Sequence, residues 1–215
     1  MVLNFNTDIK SSFETDTVKI KLTLSKDDYL QRVQQILNHI HRGDIYEANF
    51  CQEFFAEDVR INPYEVYKKL NAISNPPFAA YFKHQDQYAL CASPERYLKK
   101  DGEKLISQPI KGTAKRSKDK TKDDALKQHL EEDVKERSEN IMIVDLVRND
   151  LSLTAQKNSV QVEELCKIYT FDQVHQMIST VVSKLKADIH PIDAIKTTFP
   201  MGSMTGAPKI SAMQI

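Results

Sequence analysis

Several short stretches of this sequence combine residue types that do chemistry. In Gln108–Arg116, "QPIKGTAKR", Lys111 stands between an isoleucine and a glycine, just after a proline. Such a lysine is either a solvated turn residue or, if enclosed, an amine nucleophile. An exposed lysine titrates at about 10.4, so only a dry site or a neighbouring cation would free its lone pair at neutral pH. In "ASPERYL", Glu95 follows a proline at the end of an apolar run. Partial desolvation there would raise its pKa and suit it to general acid catalysis; the alternative is a solvated turn residue. In "SENIMIVDLVRND", Glu139 and Asp145 border a run of Ile, Met, Ile and Val. A carboxylate introducing a buried helix must be paired, hydrogen-bonded or bound to a metal, and hard oxygen ligands of this kind suit Mg²⁺. For Asp145 an ion pair with Arg148 is the preferred reading.

A further loop, "MGSMTGAPK", carries Ser203, Thr205, Gly206 and Lys209 into a helix, with Thr205 near the cap and Pro208 in the first turn. Free N–H groups at such a terminus suit a carboxylate or phosphate, although the Walker spacing is absent. His175, in "VHQMIST", reads equally as a core histidine or a site residue. The chain has only five glycines. Gly43 and Gly102 stop a helix and turn a hairpin, whereas Gly112, Gly202 and Gly206 fall in two expected loops beside Lys, Ser and Thr. Glycine permits close backbone approach or positive φ, but two ordinary turns would look the same.

The elements that must position these residues are legible from periodicity. After a strand-like lead-in over residues 1–24, Ser25 and Gly43 bracket a helix with Val33, Ile36, Leu37 and Ile40 on one face. "DIYEANFCQEF" alternates and predicts a strand, and Pro63 opens a helix to about Ile73. "FAAYFKH", "QYALCAS" and "RYLKKDGEKLIS" predict strands, the last a hairpin with a type I′ turn at Asp101–Gly102. Lys115–Arg137 and the apolar segment beyond it predict one helix or two in series, with Leu126, Leu130 and Val134 at helical spacing. "VQVEELCKIY" and "QMISTVVSKL" predict strands, Pro191 starts a helix, and a last helix follows Pro208. Strands first, then helices and strands alternating, indicate an α+β domain of more than one layer.

Composition excludes several classes. Lys+Arg and Asp+Glu are 30 each, so no global field favours nucleic acid or an anionic membrane surface. The cations from Lys111 to Lys122 lack interleaved aromatics and read as a solvated face. No apolar run reaches the ~18 residues of a spanning helix, and no signal peptide is legible at the N-terminus. Cys51, Cys91 and Cys166 have no metal-ligand spacing and read as buried thiols of a cytoplasmic protein.

In order, "GDIYEANFCQEF", "ASPERYL", "QPIKGTAKR", "ENIMIVDLVRNDL", "VHQMIST" and "MGSMTGAPKISAMQ" resemble the chorismate-utilising enzymes. These include the component I chains of anthranilate synthase and aminodeoxychorismate synthase, and the isochorismate synthases. The resemblance implies a four-layer α/β/β/α fold with two packed, mainly antiparallel sheets. It implies a lead-in over 1–25 and a chorismate-binding catalytic domain over 26–215. Lysine in the P-I-x-G-T motif is usual in aminodeoxychorismate synthases, whereas the other two classes usually have alanine. The implied reaction replaces the hydroxyl on carbon 4 of chorismate with ammonia from a glutamine amidotransferase partner, component II, toward 4-aminobenzoate and folate. Anthranilate synthase is the alternative within the family.

The roles implied are Lys111 as nucleophile on ring carbon 2, Glu95 as acid to the leaving hydroxyl, and Glu139 as ligand to Mg²⁺. Gly112, Thr113, Ser203, Thr205, Gly206, Lys209 and His175 would contact substrate. Glu47 occupies the position of the isochorismate synthases' water-activating lysine, which argues against hydration of chorismate; aminating relatives usually have glutamine there. Aligned on Ser179, the family histidine falls at Gln176, and a strand reverses facing at each residue, so His175 does not simply inherit its role. The family pattern continues past "GAPKISAMQ" with further substrate and Mg²⁺ contacts, so the resemblance implies a domain lacking roughly its last third. The 215-residue chain by itself is expected to be inactive.

Overall fold

The computed structural model of the chain describes residues 18–215. The lead-in expected over 1–24 therefore falls mostly outside the described residues. Its last part forms a two-residue strand, β1 (Lys21–Leu22). Helix α1 (Lys26–Arg42) follows, with the Ser25 side chain accepting from the Asp28 N–H and Gly43 closing the end at φ 82°. Next come β2 (Glu47–Ala48), β3 (Phe54–Phe55), and α2 (Pro63–Ser74) with Asn62 as its cap. Strands β4 (Phe78–His84) and β5 (Gln87–Ser93) form one hairpin, β6 (Arg96–Asp101) and β7 (Lys104–Gln108) another. Strand β8 (Ile110–Lys115) leads to α3 (Lys120–Glu132) and α4 (Val134–Ser152). Asp133 alone separates these helices, its side chain accepting from the N–H groups of Lys135 and Glu136. Strands β9 (Gln161–Thr170) and β10 (Val174–Lys184) precede α5 (Pro191–Thr198), a 3₁₀ turn at Gly202–Met204, β11 (Gly206–Ala207) and α6 (Lys209–Gln214).

The α+β, antiparallel architecture is centred on β10. Strand β9 runs along one edge of it, β7 and β8 run in series along the other, and β6 lies outside β7. Three two-stranded pieces, β1–β3, β2–β11 and β4–β5, complete the described sheet structure. Helix α4 covers the β10 sheet with Ile143, Val144, Val147 and Leu151 packed on Leu105, Val181 and Leu185. A smaller cluster of Leu130, Cys166 and Met177 lies under α3.

Buried polar groups fix how α4 sits on the sheet. Asn140 is fully buried and donates to the Met177 carbonyl at 3.2 Å. Its amide oxygen accepts from the Ser179 hydroxyl, and Ser179 Oγ accepts from the Cys166 N–H at 2.8 Å. A second cluster joins α3 to the sheet: Arg116 Nε and the Ser117 N–H both donate to Asp123, and His175 Nε2 lies 3.1 Å from the same carboxylate. These donors, the Arg116 guanidinium above all, hold the Asp123 carboxyl far below the usual carboxylate range.

Four expectations need correction. "QPIKGTAKR" is a strand rather than a loop: Pro109 lacks an N–H and breaks the ladder between β7 and β8. Its carbonyl still accepts from Ser179 N at 3.2 Å, so the chain stays alongside β10. "DIYEANFCQEF" pairs only at β2 and β3, because β11 and β1 offer two residues each. The β6–β7 loop is Gly102–Glu103, with positive φ at Gly102 alone, as a type II′ turn requires. Cys51 and Cys91 are exposed; only Cys166 is a buried thiol. Among the described residues no helix is long and apolar enough to cross a membrane.

Replacing Asn140 with alanine removes partners from the Met177 carbonyl and the Ser179 hydroxyl. We expect a loss of about 2–3 kcal/mol in urea unfolding, against under ~0.5 kcal/mol for alanine at the exposed Ser138.

Candidate functional site

Strand β8 brings Lys111 to a point where β2, the β5–β6 turn, α4 and the 3₁₀ turn approach it. Gly112 has φ 92°, in the left-handed region, and a Cβ there would lie 3.1 Å from Leu130 and 3.2 Å from Glu136. Glycine at 112 thus lets β8 take that backbone shape and lie against α3 and α4, beside a register shift between Gln176 and Ile178 of β10. Lys111 itself is 18% exposed, with its Nζ 3.6 Å from Glu47 Oε1.

Glu95 lies between β5 and β6, its N–H bonded to Ser93 Oγ at 3.1 Å. One carboxylate oxygen accepts from the N–H of Ile110, the residue before Lys111, at 3.2 Å and from the buried Ser203 hydroxyl at 2.8 Å. Burial pushes the Glu95 carboxyl above its ordinary value; the Ser203 and Ile110 bonds and the Lys111 charge pull the other way without cancelling it. The 3₁₀ turn that holds Ser203 is itself tied down. Asn49 donates from its side chain to the Ser203 carbonyl and from its backbone to the Thr205 carbonyl at 2.7 Å.

Glu47 completes the cluster from the other side. Its strand pairs with β11, and a Cβ at Gly206 would come within 2.4 Å of the Glu47 carbonyl and 2.7 Å of Ala212 Cβ. Only glycine at 206 admits β2 this closely. The Glu47 carboxyl is also raised by burial, with Lys111 pulling it down and Glu139 pushing it further up.

Lys111, Glu95 and Ser203 are therefore brought together, while other candidates are engaged elsewhere. Gly206 seats β2 and makes its closest approach to protein backbone. The Thr205 hydroxyl donates to the Gly202 carbonyl at 2.9 Å, and Pro208, not Thr205, is the cap residue of α6. Lys209 donates to Asp150 at 2.8 Å and to the Thr198 carbonyl at 2.9 Å, tying α6 to α4 and the end of α5. Thr113 is an exposed residue further along β8. His175 faces α3, with Nδ1 2.9 Å from Thr170 Oγ1 and Nε2 on Asp123; it is a core histidine, and Gln176 is the residue opposite Thr113. Asp145 pairs with Arg148 at 2.7 Å on the surface, as its flanking sequence suggested.

Glu139 projects from α4 and is 31% exposed, 3.7 Å from Lys135. Among the described residues no three His, Cys, Asp or Glu side chains converge to hold a metal. These donors do not by themselves complete a magnesium site. Sequence reading missed Asn49, which anchors the Ser203 turn, and Asp150, which holds Lys209. Both lie far in sequence from their partners, and neither carries a local signal.

What the geometry offers is an amine between two carboxyl groups whose burial favours their protonated forms. A raised carboxyl binds its proton more tightly folded than unfolded. Its stabilising effect is complete at low pH and is lost as pH rises through the folded pKa. Glu95→Gln, which keeps an acceptor for Ser203, should therefore be more stable than the parent at neutral pH. The difference should shrink toward zero as pH falls below about 4.5, the ordinary carboxyl value. Denaturant melts across that range check this, and a difference that instead widens on acidification would contradict the assigned direction.

The model of a family described as chorismate binding enzyme matches residues 6–215, beginning well before the first of the recognisable motifs. Aminodeoxychorismate synthase component 1 of Klebsiella aerogenes is 37% identical over 195 residues, covering 91% of this chain and 43% of the relative. Anthranilate synthase component 1 of Bacillus subtilis (strain 168) is 38% identical over 204 residues, covering 95% of this chain and 39% of the relative. The crystal structure of anthranilate synthase component I from Streptococcus pneumoniae TIGR4 superimposes with a TM-score of 0.81 at 27% identity, covering 99% of this chain and 46% of that one. The chain thus spans under half the length of these relatives. Its motifs, its fold and the length of the family match agree: the chain belongs to the chorismate binding enzymes.

Proposed function

We propose that this site aminates chorismate at ring carbon 4, the reaction of an aminodeoxychorismate synthase component 1. The observation that carries the reading is Glu95, a half-buried carboxyl whose pKa burial raises, bonded to the N–H of Ile110 immediately before a largely enclosed Lys111. Such a carboxyl holds its proton to a higher pH than an ordinary one, and the lysine lies beside it. The Lys111 amine adds to ring carbon 2, both ring double bonds shift by one position, to carbons 1–6 and 4–5, and the carbon-4 hydroxyl leaves as water with the proton of Glu95. Ammonia then adds at carbon 4, both double bonds return, the lysine leaves as the neutral amine, and the new ammonium group returns a proton to Glu95. The Ser203 hydroxyl and the Ile110 N–H hold the Glu95 carboxyl in place for this transfer. A glutamine amidotransferase would supply the ammonia.

Amination at carbon 2, as in anthranilate synthase, is the second reading, favoured by the 38% identity to the Bacillus subtilis enzyme. Incubating the protein with chorismate and ammonium separates the two. The expected product is 4-amino-4-deoxychorismate; anthranilate alone would overturn the first reading, and no product would favour a catalytically inactive fragment. In an active protein Lys111→Ala should abolish the covalent adduct. Glu95→Gln should slow its formation by about 10²–10⁴-fold. Undiminished amination by Lys111→Ala at saturating ammonium would remove the lysine from the mechanism.

A further inference from the structure

The contact between Lys111 and Glu47 differs from a surface ion pair. Both side chains are only 18% exposed, and the 3.6 Å separation is longer than a hydrogen bond. Glu47 Oε1 is shielded from solvent and has no hydrogen-bond partner. A shielded carboxylate oxygen without a donor is costly unless it acquires a proton. The position is also not free to relax, because β2 is clamped against β11 by the Tyr46 N–H to the Ala207 carbonyl and the Asn49 N–H to the Thr205 carbonyl, both 2.7 Å.

We propose that Glu47 is the proton acceptor of Lys111, so that the two side chains share one proton. One arrangement is ammonium with carboxylate; the other is amine with carboxylic acid. Passing between them breaks one N–H bond, makes one O–H bond and leaves the net charge of the pair unchanged. Desolvation penalises both ions of the first arrangement and neither member of the second. A bound substrate that displaces the remaining water moves the balance toward the free amine, and the proton stays within the pair, ready to return when the lysine is released. Burial, the first cause of the raised Glu47 carboxyl, acts in the same direction.

The other charged groups facing the pair are Glu139 of α4, itself 3.7 Å from Lys135, and Glu95 of the β5–β6 turn. Glu139 pushes the Glu47 carboxyl up and so favours its protonation. This assignment rests on the proposed function only for what the free amine does next.

The pair has a signature that a lone lysine lacks. Below its pKa an ordinary lysine gains neutral amine about tenfold per pH unit. A pair that retains one shared proton keeps a constant fraction of amine, whatever the pH. The test is the acetylation rate of Lys111 by 4-nitrophenyl acetate, an uncharged ester, in the folded protein. Peptide mass spectrometry reads the rate from about pH 6 to about pH 8, with the exposed lysines of the same digest as references for the tenfold slope. The parent protein should change less than about threefold over that range, whereas Glu47→Gln should follow the exposed lysines. Glu47→Asp, which keeps an acceptor on a shorter stem, should restore the flat profile at a lower rate. A parent Lys111 that rises with the exposed lysines would show that Glu47 is a counter-ion only and overturn the proposal. If Glu47→Gln does not fold, as judged by circular dichroism, the parent and aspartate profiles decide the matter. The readout needs neither chorismate nor turnover. A flat profile in a protein that makes no aminodeoxychorismate keeps Glu47 and discards the reaction; a steep profile in an aminating protein does the reverse.

Discussion

Strand β10 has to be enclosed on two edges and two faces at once. Nine of its eleven residues are buried, and it takes partners from β7, β8 and β9. An interior strand leaves no backbone N–H or carbonyl for water, so its neighbours must match its ladder or replace it. Where Pro109 interrupts the ladder, its carbonyl still accepts from Ser179. Where the register shifts, polar side chains take over: Ser179 Oγ accepts the Cys166 N–H and donates to Asn140. Helix α4 is thereby held on the sheet by both apolar packing and a buried polar network. Strand β8, the edge that carries Lys111, is positioned as a consequence.

The candidate site is built at that edge from segments remote from one another in sequence. Lys111 comes from β8, Glu47 from β2, Glu95 from the turn between β5 and β6, and Ser203 from the 3₁₀ turn before β11. Two glycines permit the convergence, Gly112 through positive φ and Gly206 through an approach that no Cβ could share. The electrostatics follow from enclosure. Burial raises both carboxyl groups, and the single lysine between them opposes both shifts. In the proposed reaction Glu95 gives a proton to the leaving group and Glu47 takes one from Lys111, so both transfers lie within the site.

Much of the element order was legible in the sequence because it depends on local patterns. Ser25 and Gly43 capping α1, Pro63 and Pro191 opening helices, and the short strand-like runs of β4, β5, β9 and β10 each act within a few residues. The buried Asp123–His175 cluster was not legible, since Arg116, Asp123 and His175 meet only when α3 lies on β10. His175 consequently read as a site residue or a core residue with equal weight. The resemblance alone suggested Lys209 as a substrate contact; its bond to Asp150, 59 positions earlier on another helix, carried no local signal. "QPIKGTAKR" read as a loop because a proline and a glycine together usually break a strand, whereas here β10 supplies partners on both sides of the break.

By itself the sequence determined the α+β class, most helix limits, and the family, since ordered motifs and periodicity survive without coordinates. Residue type also determined which groups were chemically eligible: an amine, several carboxyls and a loop hydroxyl. Only the tertiary structure decided which of them share a site. It brought Ser203 to Glu95 and Glu47 to Lys111, and set Gly206 against β2, Lys209 on Asp150 and His175 on Asp123. The physical reason is that pairing and burial are properties of distances between remote segments, and a carboxyl's proton affinity follows from that enclosure rather than from its neighbours in the chain.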